Sequence, residues 1–326
     1  MTELTPLPSF PAVPGRILSA PEFQHLAEVP AETQWFANID NPQTRRAYQN
    51  DLAGFIRFAG IQQPTEFRQV TRSHVLGWRA ELERQSLSSS TIRRKLAALA
   101  SLFEYLCNQN AVTHNPVKGV KRPRVESQTG KTPALSNTQV RQLLEAPPAD
   151  TLKGKRDRAI LSVLLYHGLR REELTHLKVK DFAQADRGGP RMRVWGKGGK
   201  VRYLLIHPTT LELVSTYLSA AGHAASSCNW LFQSVSHHQS NNSNGGLTPG
   251  AIYSEVVKRY LNPLGIKGDN LGPHALRATA ATCALENHAD IAKVQDWLGH
   301  ANINTTRAYD RRETRSPDSP TFKVAY

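Results

Sequence analysis

Apolar residues recur at helical spacing along most of the chain, and three such stretches stand close together near its start. In "NPQTRRAYQNDLAGFIRFAG", Tyr48, Leu52, Phe55 and Ile56 fall on one side of a helix, with Pro42 and Thr44 as start signals and Arg45 and Arg46 on the outer face. "TRSHVLGWRAELER" repeats the pattern through Val75, Trp78 and Leu82. "SSSTIRRKLAALASLFEYL" shows it most clearly, through Ile92, Leu96, Leu99, Phe103 and Leu106. Each of these helices has one face to bury, which predicts a small helical domain over residues 31–118.

The period then stops. The stretch "NPVKGVKRPRVESQTGKTP" (115–133) mixes proline, glycine and five basic residues, and residues 119–133 within it are expected to form a basic linker. A second domain is predicted over 134–312. There Ser136 caps a helix carrying Val140, Leu143 and Leu144, and another helix runs through Ala159, Ile160, Val163 and Leu164 to a break at Gly168. "RMRVW" and "VRYLLI" are β-rich runs joined by "GKGGK", which predicts a hairpin. "IYSEVVKRYL", "RATAATCALEN" and "DIAKVQDWLG" are helical by pattern. The expected fold is therefore mainly α with a small β-hairpin (α+β), in two domains.

Composition narrows the function. With 326 residues, 39% of them apolar, and a mean hydropathy of −0.46, the chain has material for two ordinary cores but no apolar run approaching a membrane span. The first sixteen residues, MTELTPLPSFPAVPGR, hold four prolines and no basic segment followed by an apolar one, so residues 1–30 are expected to be a flexible leader rather than a secretory signal. Cys107, Cys228 and Cys283 are odd in number, far apart and without metal-ligand spacing, which suits the reducing cytoplasm and predicts neither disulfide nor zinc. His237 and His238 lie in a polar stretch without carboxylate or thiol partners and are expected to face solvent. Forty-one Lys and Arg against 27 Asp and Glu leave a formal charge of +14, a field that attracts polyanions, nucleic acid foremost.

Common enzyme signatures are missing: there is no HExxH, Walker lysine loop, GxSxG or dinucleotide fingerprint. What remains is a set of basic residues at special places. Arg170 and Arg171 follow Gly168; Lys197 and Lys200 sit at the hairpin tip; "PHALR" sets His274 and Arg277 three residues apart on a helix; His300 and Tyr309 come later. Singly, each has an ordinary explanation as a helix-end charge, a solvated turn, a surface pair or a packed ring. As a set they match what phosphoryl transfer without a metal requires. Two guanidinium forks, Arg170 and Arg277, can hold the non-bridging oxygens as negative charge builds on them. A phenol, with a reference pKa near 10, becomes a competent nucleophile as nearby cations favour its ionised form, and Tyr309 is the candidate, with His274 assisting. The departing oxygen needs a proton, for which Lys197 on the hairpin is placed.

The chain order of these segments, "GLRREEL" (168–174), "GKGGKVR" (196–202), "HALR" (274–277) and "LGHANINTTRAY" (298–309), resembles the tyrosine recombinase (phage integrase) family, including its Xer-like members. "SSSTIRRKLAALASLFEYL" and "NPVKGVKRP" also resemble that family's helical core-binding domain. The resemblance implies that Arg170 and Arg277 bind the scissile phosphate and that Lys197 is the general acid for the 5′-oxygen. It gives His274 and His300 proton transfer and phosphate contact, makes Tyr309 the nucleophile, and makes Glu173 the acidic residue that supports the site. Ala278, Ala280 and Trp297 depart from the usual wording without removing a catalytic group.

The implied reaction is attack of Tyr309 on DNA to give a 3′-phosphotyrosyl link and a free 5′-hydroxyl, then religation to another strand, with no cofactor, metal or ATP. The implied partners are a double-stranded recombination site, four protomers on two such sites or a related recombinase among them, and an accessory DNA-binding protein. No membrane is involved, and the expected location is the cytoplasm, at the nucleoid. The family's two domains clamp the duplex, which implies that Arg45, Arg46, Arg93, Arg94, Lys95, Lys121 and Arg122 contact phosphates and position without specifying sequence. The tail, 313–326, carries Pro317 and Pro320, which limit any helix in the segment that the family packs on a neighbouring subunit. Two other readings share these residues: a type IB-like topoisomerase or strand nuclease, and a non-catalytic DNA-binding protein of the same fold. The biological task (integration, cointegrate resolution, cassette capture or dimer resolution) stays open at this level.

Overall fold

A computed structural model describes residues 35–124, 132–183, 188–235, 245–268 and 271–311. The expected leader at 1–30, the pair His237 and His238, and the tail at 313–326 lie outside the described residues, as do residues 125–131 of the expected linker. The chain divides into two units, 1–126 and 127–326.

Among its described residues the first unit is built mainly from three α-helices, with a short 3-10 turn at Pro64–Gln69. α1 (Pro42–Ala59) starts at Asn41, whose side chain accepts from the Gln43 and Thr44 amides, and ends at Gly60 in the left-handed conformation. α2 (Arg72–Arg84) and α3 (Ser89–Asn108, capped by Ser88) complete the bundle. Leu52 and Phe55 of α1, Val75, Trp78 and Leu82 of α2, and Ile92, Leu96, Leu99 and Phe103 of α3 form one core, with Phe55 set edge-on to Trp78. These are the positions that the helical period selects. Val117 and Val120 bury into the same core, and Arg72 and Arg79 donate to the carbonyls of Gly119 (2.8 Å) and Lys121 (2.6 Å). The first residues of the expected linker are thus packed on this unit.

One polar side chain breaks the pattern, and it changes the expected set of outward cations. Asp51 on α1 is 1% exposed. A lone carboxylate there is too costly to leave unpaired, so α3 supplies its counter-charges: Arg94 pairs with Asp51 and the Lys95 ammonium lies 3.2 Å from it. Arg45 is half-buried and donates to the Ile39 carbonyl at 2.9 Å. Arg45, Arg94 and Lys95 therefore have internal duties that the sequence pattern does not show. Arg46, Arg93, Lys121 and Arg122 are exposed, Arg93 also donating to the Pro123 carbonyl at 3.3 Å.

In the second unit, α4 (Asn137–Glu145) opens with a reciprocal capping box between Ser136 and Gln139. α5 (Leu152–His167) is buried or half-buried along its whole length, and around it lie α6 (Arg171–Thr175) and α7 (Pro208–Ala221). Strands β1 (Arg191–Trp195) and β2 (Val201–Leu205) pair antiparallel, Met192 opposite Leu204 and Val194 opposite Arg202. Among the described residues this hairpin is the whole sheet. The "IYSEVVKRYL" helix is helical as expected, but its middle, Ile252–Lys258, is π-helical between short α-turns at Pro249–Ala251 and Arg259–Leu261. Then come α8 (Pro273–Glu286), α9 (Ile291–Leu298) and α10 (Ile303–Arg307). Mainly α with a small hairpin is thus the observed class. Cys107, Cys228 and Cys283 are free thiols, and among the described residues no helix is long and apolar enough to cross a membrane.

Candidate active site

The site begins where α5 stops. Gly168 takes φ +58 and returns its amide to the Leu164 carbonyl at 3.1 Å. A Cβ there would stand 2.9 Å from Leu298 Cδ2, so both the left-handed turn and the approach of α9 require glycine. Just past this turn, Arg170 becomes the N-cap of α6, and Glu173 in the first turn reaches back to it. Glu173 accepts from the Arg170 amide at 2.9 Å and from its guanidinium at 2.7 Å.

The hairpin contributes Arg202. Strand alternation turns Val201, Tyr203 and Leu205 outward and Arg202 and Leu204 inward. The Arg202 fork meets the Glu173 carboxylate bidentately, at 3.0 and 2.8 Å, while its Nε donates to the Trp297 carbonyl at 3.1 Å. Arg277, on α8, is 2% exposed. It donates to the Gly168 carbonyl, to the Leu298 carbonyl at 2.6 Å and to His300 Nε2 at 2.9 Å, and stands 4.0 Å from Glu173. The Gly299 carbonyl in turn accepts from Arg170 at 3.3 Å. Three guanidiniums thus surround one buried carboxylate, which leaves uncompensated positive charge at this point.

His300 is held on both sides, by Arg277 at Nε2 and by Thr306 Oγ1 at Nδ1, 2.9 Å away. The Tyr309 ring lies beside it, with centroids 6.0 Å apart, and is half-buried against Ala281, Leu285, Val294 and Leu298. Thr282 donates to the Tyr309 carbonyl at 3.2 Å, and the Tyr309 amide donates to the Thr306 carbonyl at 2.9 Å. Within a single chain, then, the tyrosine ring lies beside the histidine that Arg277 holds.

Electrostatics follow from this crowding. Burial lowers the Arg277 guanidinium, Arg170 lowers it further, and Glu173 and Tyr309 oppose them, for a net value of about 10. It stays charged at neutral pH. Burial and then Arg277 and Arg170 push His300 down to about 4, so its imidazole is neutral. Burial pushes the Glu173 carboxyl up, but the hydrogen bonds and charge of Arg202 and Arg170 outweigh it and hold the carboxyl below its ordinary value. His274 is solvent-exposed, unlike its helical neighbour Arg277, yet its pKa is also lowered, first by partial desolvation and then by Arg171 and Arg277.

Of the residues singled out from sequence, Arg170, Glu173, Arg277, His300 and Tyr309 come together, with His274 at the rim on the first turn of α8. For Lys197 the structure describes the backbone, as the first residue of the hairpin tip Lys197–Gly199. Arg171 stands 3.6 Å from Glu172 and near enough to His274 to lower its pKa. Two members of the site were not singled out from sequence: Arg202 and Thr306. Arg202 had a readable signal, since a cation at an inward position of a strand whose inward neighbours are apolar needs a buried partner. Thr306 had none.

Comparison with known proteins places the chain in a family. Residues 133–315 match the phage integrase family, and residues 40–110 match the N-terminal SAM-like domain of phage integrases. A tyrosine recombinase XerC of Pelobacter propionicus is 31% identical over 271 residues, covering 82% of this chain and 84% of that protein. One of Herpetosiphon aurantiacus is 33% identical over 267 residues, covering 82% and 83%. The fold resembles that of the XerH site-specific recombinase solved bound to its difH substrate in a pre-cleavage complex, with a TM-score of 0.63 at 24% identity over 83% of this chain and 76% of that one. Because residues 133–315 are more than half of the 326, the chain belongs to the phage integrase family and is a site-specific recombinase of the tyrosine type.

Proposed function

We propose that this enzyme cleaves and rejoins DNA strands through a 3′-phosphotyrosyl intermediate, with Tyr309 as the nucleophile and no metal or ATP. The observation that carries the reading is the cluster of Arg170, Arg202 and Arg277 around Glu173 with the Tyr309 ring at its edge beside His300. A scissile phosphate entering there meets the partly exposed Arg170 first, with the buried charge of Arg277 behind it. The Tyr309 oxygen forms a bond to phosphorus and the bond to the 5′-oxygen breaks. The phenolic proton passes to the neutral imidazole of His274, both nitrogens of His300 being already engaged by Arg277 and Thr306, and the 5′-oxygen takes a proton from Lys197. A 5′-hydroxyl of another strand then attacks the phosphotyrosyl ester and Tyr309 leaves. One phosphoester bond is made for each one broken, so the exchange needs no outside energy source.

Electrostatic stabilisation of this kind replaces what a metal supplies elsewhere, because fixed guanidiniums in a desolvated site need no reorganisation as charge develops. Exchange between two duplexes involves four strands, each requiring one nucleophile, which matches four copies of the chain on two double-stranded sites. Arg46, Arg93, Lys121 and Arg122 are the exposed cations of the first unit that would grip phosphates.

A nicked suicide substrate tests the reading, because loss of the short 5′-fragment traps the covalent complex. The wild-type protein should accumulate that complex in buffer containing a chelator, and Tyr309→Phe should form none while still binding DNA. A covalent product from Tyr309→Phe, or one that requires added metal, would overturn it.

A further inference from the structure

We infer that Arg202 is a positioning residue that sets the hairpin tip, and with it Lys197, against the phosphate clamp. The inference rests on the strand-transfer reading above. A two-stranded ribbon has little stability of its own, so its place must come from what its inward side chains touch. Met192, Val194 and Leu204 are buried on the inner side, whereas Trp195, Val201, Tyr203 and Leu205 are exposed on the outer one. The pair nearest the tip, Trp195 opposite Val201, faces outward. The inward side chains closest to the tip are therefore Arg202 on β2 and the buried Val194 opposite it on β1, and of the two Arg202 is the one that makes polar contacts to the site.

Each of its guanidinium nitrogens has a partner in the site. Both terminal nitrogens meet Glu173, at 3.0 and 2.8 Å, and Nε meets the Trp297 carbonyl at 3.1 Å. Glu173 simultaneously holds Arg170 through backbone and guanidinium, so one carboxylate joins the hairpin to the residue that meets the phosphate. The segment after α9 closes over the same group: a Cβ at Gly299, where φ is +66, would stand 3.1 Å from Arg202 Nη1. The tip itself is short and closed, with the Gly196 amide donating to the Lys200 carbonyl at 2.7 Å. Moving Arg202 therefore moves the tip as a unit. A planar bidentate fork is what fixes such a geometry, and an ammonium keeps the charge but loses the fork.

Leaving-group chemistry provides the test. With an ordinary 5′-oxygen the departing group must receive the Lys197 proton as its bond to phosphorus breaks. With sulfur at that bridging position it leaves as a thiolate, whose conjugate acid has a reference pKa of about 8.5, and needs no proton. Covalent complex formation is measured in single turnover on both substrates, alongside DNA affinity, for wild type, Arg202→Lys, Lys197→Ala and Arg170→Ala. The thermal midpoint and DNA affinity of Arg202→Lys, which keeps the charge beside Glu173, guard against misfolding. On the oxygen substrate Arg202→Lys should slow cleavage by at least about 10-fold, part of the roughly 100-fold or more that a general acid supplies. On the sulfur substrate it should return to within about 3-fold of wild type, as Lys197→Ala should, while Arg170→Ala stays slow. A wild-type rate for Arg202→Lys on the oxygen substrate, or an equal defect on both substrates, overturns the inference. A wild-type protein that links to neither substrate overturns the strand-transfer reading and this inference together.

Discussion

His300 has two partners, and one of them decides its tautomer. A guanidinium can only donate, so the contact from Arg277 makes Nε2 an acceptor and places the ring proton on Nδ1, from which it is donated to Thr306 Oγ1. Thr306, fully buried three residues before Tyr309, thereby orients the imidazole that flanks the phenol. Thr306→Val should slow covalent complex formation by about 5–10-fold, the equivalent of one hydrogen bond, and Thr306→Ser should restore it. Equal rates for Val and Ser in single turnover would contradict this. The same crowding keeps His300 neutral, with a pKa of about 4. Imidazole resonances of the free protein should therefore show His300 unprotonated at pH 5.5, where an ordinary histidine, near 6.5, is mostly charged.

The elements of the second unit meet through turns with little tolerance. Gly168→Ala would force a Cβ into a left-handed residue and against Leu298 at 2.9 Å. It should destabilise the unit by at least about 1–2 kcal/mol, visible as a lowered thermal midpoint. In the first unit α1 and α3 are joined by a charged contact as well as by apolar packing. Asp51→Ala should lower the stability of that unit, because Arg94 and Lys95 lose the carboxylate they flank. This contact also separates cations that are adjacent in sequence. Arg93→Ala should reduce the salt dependence of DNA affinity by about one unit of slope, as expected of a phosphate contact. Arg94→Ala should act chiefly on stability.

At the scale of the whole molecule, two buried imidazoles tie stability to pH. His167 is 1% exposed, and burial first and then His207 lower it to about 4. His300 is lowered to the same value. Both lie in the second unit, and both have folded-state values below the 6.5 of the unfolded chain, so on acidification the unfolded state takes up protons first. Their contribution is intact above about pH 6.5 and is lost progressively down to about pH 4, at up to about 1.4 kcal/mol per pH unit for each group. The Glu173 carboxyl, lowered in the folded state, adds a loss in the same direction once pH falls below its ordinary value. Calorimetry should find the second unit unfolding at a lower temperature at pH 5 than at pH 7.5, and an unchanged midpoint would contradict the burial of these two rings.

Most of the helices, the hairpin and the order of the motifs were legible in the chain because each is written in contiguous residues, although α7 and α10 were not singled out there. A period selects Ile92, Leu96, Leu99 and Phe103; a cap selects Ser136; an alternation around "GKGGK" selects the hairpin. That local writing determined the fold class, and the ordered motifs determined the family. The tertiary structure alone decided how the charges are shared. Asp51 claims Arg94 from 43 residues away, Glu173 claims Arg202 from 29, and Gly299 accepts Arg170 across 129. Such partnerships arise because a buried carboxylate or carbonyl must be satisfied by whatever cation the fold brings near it, and no local pattern records which one that will be.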